Sequence, residues 1–124
     1  MKLGLLVKSR NALIKLYNSS ILDAVVAYRI SKNANAIFKE LDLYDKQNCK
    51  LFNEYCKRDS DGNPVVKDGL IEISNIEKYE DELRKLFKED IEISIKKIPL
   101  KSISNIGLTP AEILSLEYML DVEE

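Results

Sequence analysis

The sequence predicts an α+β domain, mostly helical: a long helix or helical hairpin over about residues 10–57, a small β-sheet, and two further helices at about 75–88 and 110–120. Three observations carry this. The 37 residues from Ile21 to Lys57 contain neither proline nor glycine. Asp68-Gly69 is a hairpin turn signal, and Asp90 to Lys96 alternates polar with isoleucine. Ser74 with Glu77, and Thr109-Pro110 with Glu112, read as helix starts.

Taken in order, Leu3, Leu5 and Val7 alternate with polar or small neighbours, which predicts a short strand apart from the misplaced Leu6. Ser9 then caps a helix from Arg10 to Tyr17, and Asn18-Ser19-Ser20 ends it and supplies the next cap. In the long stretch, Ile30, Ala34, Ile37, Leu41, Tyr44, Asn48, Leu51 and Tyr55 follow a 4-3-4-3-4-3-4 spacing, that of a coiled-coil seam. A continuous helix there would run about 55 Å. A chain of this size folds to a diameter of about 35 Å. The helix must therefore protrude, break or lie against a partner, and Asn33-Ala34-Asn35 is the place where it would break. The seam predicts either core packing or a face for self-association as a homodimer or for another partner, in which Asn48 would fix the register.

Asp59-Ser60-Asp61-Gly62-Asn63-Pro64 closes the long helix. Val65-Val66 and Leu70 to Ile73 are two short strands. Ile76, Tyr79, Leu83, Leu86 and Phe87 form the apolar stripe of the next helix, whose other face carries Glu80, Asp81 and Glu82. Asp90 to Lys96 reads as a strand ended by Pro99, so a parallel crossover with Leu70–Ile73 and an antiparallel pairing are both open. Leu100 to Gly107 is loop. The last helix places Ile113, Leu116 and Leu120 on one face and pairs Leu114 with Tyr118; the acidic end, Asp121 to Glu124, should fray.

With 124 residues, 45% hydrophobic and 32% charged, the chain suits one soluble domain, a helical part at 1–58 followed by the sheet and two helices at 59–124. The net charge of -2 argues against a general nucleic-acid binder. It hides an asymmetry: residues 1–57 hold 10 basic and 5 acidic side chains (+5), residues 58–124 hold 9 and 16 (-7). Cys49 and Cys56, two helical turns apart, are expected to be free thiols in a reducing compartment. Met1 to Val7 is too short for a signal peptide core or a membrane span, so a cytoplasmic, non-membrane protein is expected.

Catalytic equipment is scarce. There is no histidine, which removes Ser-His and Cys-His nucleophile pairs within this chain. The four glycines are isolated, so there is no phosphate-cradling loop. Asp59, Asp61 and Asn63 match the start of a calcium loop, but Pro64 stands where glycine is needed and Leu70 where a bidentate glutamate is needed. Glu72 and Glu92 are the best carboxylate pair and read as solvated surface. Lys8, Arg10, Lys15, Arg29 and Lys32 cluster in sequence without interleaved exposed aromatics for base stacking. No catalytic residue, cofactor or metal ligand is therefore expected. The candidate interaction residues are Ile30, Ile37, Leu41, Tyr44 and Asn48 on the seam, with Glu80, Asp81 and Glu82 on the acidic face.

Three stretches carry a resemblance: Asn11-Ala12-Leu13 before the long helix, Asp61-Gly62-Asn63 after Leu51-Phe52-Asn53-Glu54-Tyr55, and Ile91-Glu92-Ile93 through Lys97-Ile98-Pro99-Leu100 to Leu108-Thr109-Pro110-Ala111-Glu112. In these the chain resembles a group of small phage and prophage accessory proteins of low-GC Gram-positive bacteria, a group with no assigned activity. The Ile-, Lys- and Asn-rich composition fits an AT-rich genome. The resemblance implies a phage accessory setting. The expected function is non-enzymatic binding of another protein, such as inhibition of a host defence system of the CRISPR nuclease kind. The alternatives are a virion assembly or tail-associated protein, and a nucleic-acid-binding protein.

Overall fold

A computed structural model of the protein describes residues 1–122, so Glu123 and Glu124, half of the acidic end expected to fray, lie outside the described residues. The protein is α+β and mostly helical. The expected N-terminal strand is absent: α1 runs unbroken from Leu3 to Tyr17. Leu3, Leu6, Ser9, Ala12, Leu13 and Leu16 are all buried and recur at helical spacing. That stripe overrides the shorter alternation of Leu3, Leu5 and Val7 and leaves Leu5 outside. Gly4 allows the close approach of a neighbouring helix, since a Cβ there would lie 3.1 Å from Cβ of Phe87. Ser9 is no cap. It sits buried in mid-helix, donates to the Leu6 carbonyl at 3.0 Å and meets the Tyr118 hydroxyl at 2.8 Å.

The helix ends at Asn18 as expected, but Asp23 rather than a serine caps the next helix, accepting from the Val26 N–H at 3.1 Å. Helix α2, Ala24–Tyr55, is one continuous element of 32 residues, about 48 Å long. It does not break at Asn33-Ala34-Asn35. Asn33 is buried there, donates to the Lys96 carbonyl and accepts from the Lys96 N–H, both at 2.8 Å. A poor helix former is held in place by two tertiary hydrogen bonds.

Beyond α2 the backbone reverses through Asp59, whose carboxylate accepts the N–H groups of Asp61 and Asn63. Strands β1 (Val66–Lys67) and β2 (Leu70–Ile71) form the expected antiparallel hairpin, with Asp68 and Gly69 at φ 53 and 79 as a type I′ turn requires. Helix α3, Ile76–Phe87, is capped by Asn75 instead of Ser74; the Ser74 hydroxyl donates to the Tyr55 carbonyl and ties the hairpin exit to the end of α2.

The strand expected at 90–96 does not pair into a sheet. Residues 91–97 form no helix or sheet strand; Ile91, Ile93 and Ile95 are half-buried against the core and alternate with exposed Glu92, Ser94 and Lys96 as expected, yet no neighbouring strand among the described residues completes a ladder. Alternation specifies which face is buried and says nothing of what lies at the edge. Leu70–Ile73 and 90–96 therefore form neither the crossover nor the antiparallel pairing, and Glu72 and Glu92 do not share a sheet. Pro99 belongs to β3, Ile98–Pro99, which runs parallel to β4, Leu120–Asp121.

A 3₁₀ turn at Leu100–Ile103 occupies the expected loop. Thr109, Pro110 and Glu112 make the predicted capping box for α4, Pro110–Ser115. This helix stops short of residue 120. A 3₁₀ turn at Glu117–Met119 follows, then β4, so that Leu116, Met119 and Leu120 are buried and the backbone pairs with β3. The core lies between α1, the first part of α2 and this C-terminal segment.

Candidate functional site

The first turns of α2 and the extended segment beside them build the most distinctive surface. From residue 24 to 39 the charged residues before Glu40 are Arg29, Lys32 and Lys39; from 93 to 111 they are Lys96, Lys97 and Lys101. Neither stretch holds an acidic side chain. The two are clasped together, Asn33 to the Lys96 backbone and the Arg29 guanidinium to the Lys97 carbonyl at 3.1 Å. The nearest acid brought in by strand pairing is Asp121, opposite Pro99. Between the two segments lies a groove of about 420 Å³ lined by Val25, Tyr28, Arg29, Ile95, Lys96 and Lys97. Val25 and Tyr28 are 61% and 62% exposed. The Lys32 ammonium lies 5.4 Å from the centre of the Tyr28 ring, and the Lys97 ammonium donates to the Tyr118 carbonyl at 3.0 Å.

The basic residues that cluster in sequence do not form this surface as a set. Arg10 pairs with Asp45 at 2.8 Å and Lys15 with Glu112 at 2.7 Å, both away from it, while Arg29 and Lys32 are joined instead by Lys96 and Lys97 from 60 and more positions along the chain. Tyr28 supplies an exposed aromatic, which the basic cluster was expected to lack.

A second concavity, about 750 Å³, opens between α1 and α4. It is lined by Leu5, Lys8, Ala111, Leu114, Ser115, Glu117 and Tyr118, with Leu114 68% exposed. The Tyr118 hydroxyl meets buried Ser9 there. Burial raises its pKa above the ordinary tyrosine value, opposed in part by the Ser9 hydrogen bond.

The predicted interaction residues fall in three places. Ile30, Ile37, Leu41 and Tyr44 are buried within the chain, so this part of the seam is core and offers no surface to a partner. Asn48 is half-buried and accepts from the Tyr79 hydroxyl at 2.6 Å, which joins α2 to α3 rather than to a second copy. Burial, and then the nearby Cys49, raise the pKa of Tyr79. Glu80 and Asp81 are exposed on α3 and Glu82 is half-buried; Asp81 pairs with Arg84 and Glu82 with Lys85 at 3.3 Å, which neutralises two of the three.

The remaining candidates are accounted for locally. Glu72 pairs with Lys57 at 3.7 Å, and the Asp59 carboxylate is taken by backbone N–H groups of its own turn. Among the described residues no three acidic or cysteine side chains gather into a metal-binding group, and no helix is long and apolar enough to cross a membrane. Cys49 is an exposed free thiol and Cys56 a buried one. Compared with family models, curated proteins and solved structures, the chain matches none.

Proposed function

We propose that the protein acts by binding another protein, and that its docking face is the acid-free groove of Val25, Tyr28, Arg29, Ile95, Lys96 and Lys97. The observation that carries this reading is the coincidence of exposed Val25 and Tyr28 with the cations Arg29, Lys96 and Lys97 along one groove. Such a face fits a partner presenting an acidic rim around an apolar anchor, with the charges setting orientation and encounter rate and the apolar contact supplying affinity. In the phage setting implied by the resemblance, the partner is a component of host defence such as a CRISPR nuclease, and binding blocks it without chemistry. The test is plaquing of a targeted phage on a defence-bearing host that expresses the protein. Wild type is expected to restore plaquing, and Tyr28→Ala with Lys32→Glu to lose the effect while the fold, followed by circular dichroism, is kept. Unchanged plaquing with wild type contradicts the defence reading.

Exposed Tyr28, with Lys32 at its ring and Arg29 next to it in the chain, also favours a second reading, a single-stranded nucleic acid stacked on the tyrosine. Four phosphate contacts would give an affinity falling with a log-log salt slope of about -3. A flat dependence, or no binding of a labelled oligonucleotide at low salt, removes it.

A further inference from the structure

Segment 91–96 alternates half-buried with exposed side chains, the pattern of a strand, and two opposite charges, Glu92 and Lys96, sit symmetrically about Ser94 on its exposed side. In extended chain, alternate residues direct their N–H and C=O groups to opposite edges. Asn33 takes both groups of Lys96 on one edge. Ile91 has the other parity, and its N–H donates to the Met1 carbonyl at 2.7 Å, with Ile93 and Ile95 following it on the same edge. Neither residue has a backbone hydrogen bond among the described residues. Unpaired backbone groups are seldom left without a partner, and a row of them along one edge is a template for a further strand.

We propose that the occupant of this edge is the same segment of a second copy, paired antiparallel about a two-fold axis at Ser94. In that register Ile93 lies opposite Ile95 of the other copy, and each exchanges its N–H and C=O, giving four hydrogen bonds between copies. Glu92 lies opposite Lys96 of the other copy and Lys96 opposite its Glu92, so both charge pairs are attractive and are formed by exposed side chains with no partner within the chain among the described residues. The parity agrees: Glu92, Ser94 and Lys96 are the positions whose backbone points away from the second copy, and Asn33 already holds that of Lys96. The contact is isologous. It is small, because Met1 already takes the Ile91 N–H and only Ile93 and Ile95 remain to pair, so the dimer is weak and concentration-dependent. This goes beyond the docking groove and does not depend on it.

The experiment places cysteine on the axis. In a Cys49→Ser background, Ser94→Cys puts two thiols at a non-hydrogen-bonded pair, where Cα atoms about 4.5 Å apart fall within the disulfide range. Mild oxidation should give a covalent dimer at least ten times faster than with Ser60→Cys, an exposed position in the turn after α2. Sedimentation equilibrium should show mass rising toward a dimer with concentration. Glu92→Lys or Lys96→Glu alone should weaken association about tenfold by opposing like charges at both pairs. The two together should restore it. A monomer at every concentration, cross-linking no faster at residue 94 than at residue 60, or failure of the double exchange to restore what the single ones remove overturns the proposal.

Discussion

Helix α2 carries one seam but two environments. From Val26 to Tyr44 it is enclosed by α1, the C-terminal segment and, at Tyr44, Phe87 of α3, and seven of its side chains are buried. From Asp45 to Tyr55 the same spacing continues through Asn48, Leu51 and Tyr55, yet all three are only half-buried, against α3 and, at Tyr55, the hairpin exit. There Tyr79 meets Phe52 and Tyr55 edge-on, with ring centres 6.3 Å apart in each pair, and hydrogen-bonds Asn48. A heptad-like stripe therefore marks a face that will be covered and leaves open by how much and by what.

The largest effect should separate the two regions directly. Ile37→Ala removes a side chain from the fully buried part and should cost about 2–5 kcal/mol, whereas Leu51→Ala, at a site that can relax toward water, should cost less than half as much. Denaturant titration of both variants checks this, and equal losses would erase the distinction. Next comes Asn33→Ala, which leaves the Lys96 N–H and C=O without their partner; it should cost about 1–3 kcal/mol and loosen the 91–97 segment. The same titration reads it, and an unchanged midpoint would mean that the two bonds do not hold the helix to that segment.

The smallest effect lies at α4. The Lys15 hydrogen bond, then the Thr109 N–H, hold the Glu112 carboxyl below the ordinary glutamate pKa. The folded state thus gives up this proton more readily than the unfolded chain, so the contribution is present above the ordinary glutamate value and is lost as pH falls through the folded one. Acid titration of stability should be shallower for Glu112→Gln. An unaltered profile would show that the pair contributes nothing.

Legibility in the sequence followed the range of the interaction. The Asp68-Gly69 hairpin turn and the Thr109–Glu112 capping box were readable because each is decided within four residues. The helical class was readable from the long interval without proline or glycine. Helix α1 was not, because Leu3, Leu5 and Val7 satisfy a strand period while Leu3, Leu6, Leu13 and Leu16 satisfy a helix period, and only packing chooses. The continuity of α2 turned on a bond from Asn33 to a residue 63 positions away. The basic face was hidden for the same reason: half of its cations lie beyond residue 95. The seam residues Ile30, Ile37, Leu41 and Tyr44 were legible as an apolar face, and their place in the core rather than at an interface depended on which elements fold back over them.

Amide hydrogen exchange along α2 tests the central claim most directly. Unbroken protection is predicted through residues 30–44, including Asn33 to Asn35, with markedly faster exchange over 48–55, where the seam is only half-buried. Fast exchange at 33–35 or equal protection at both ends would contradict it.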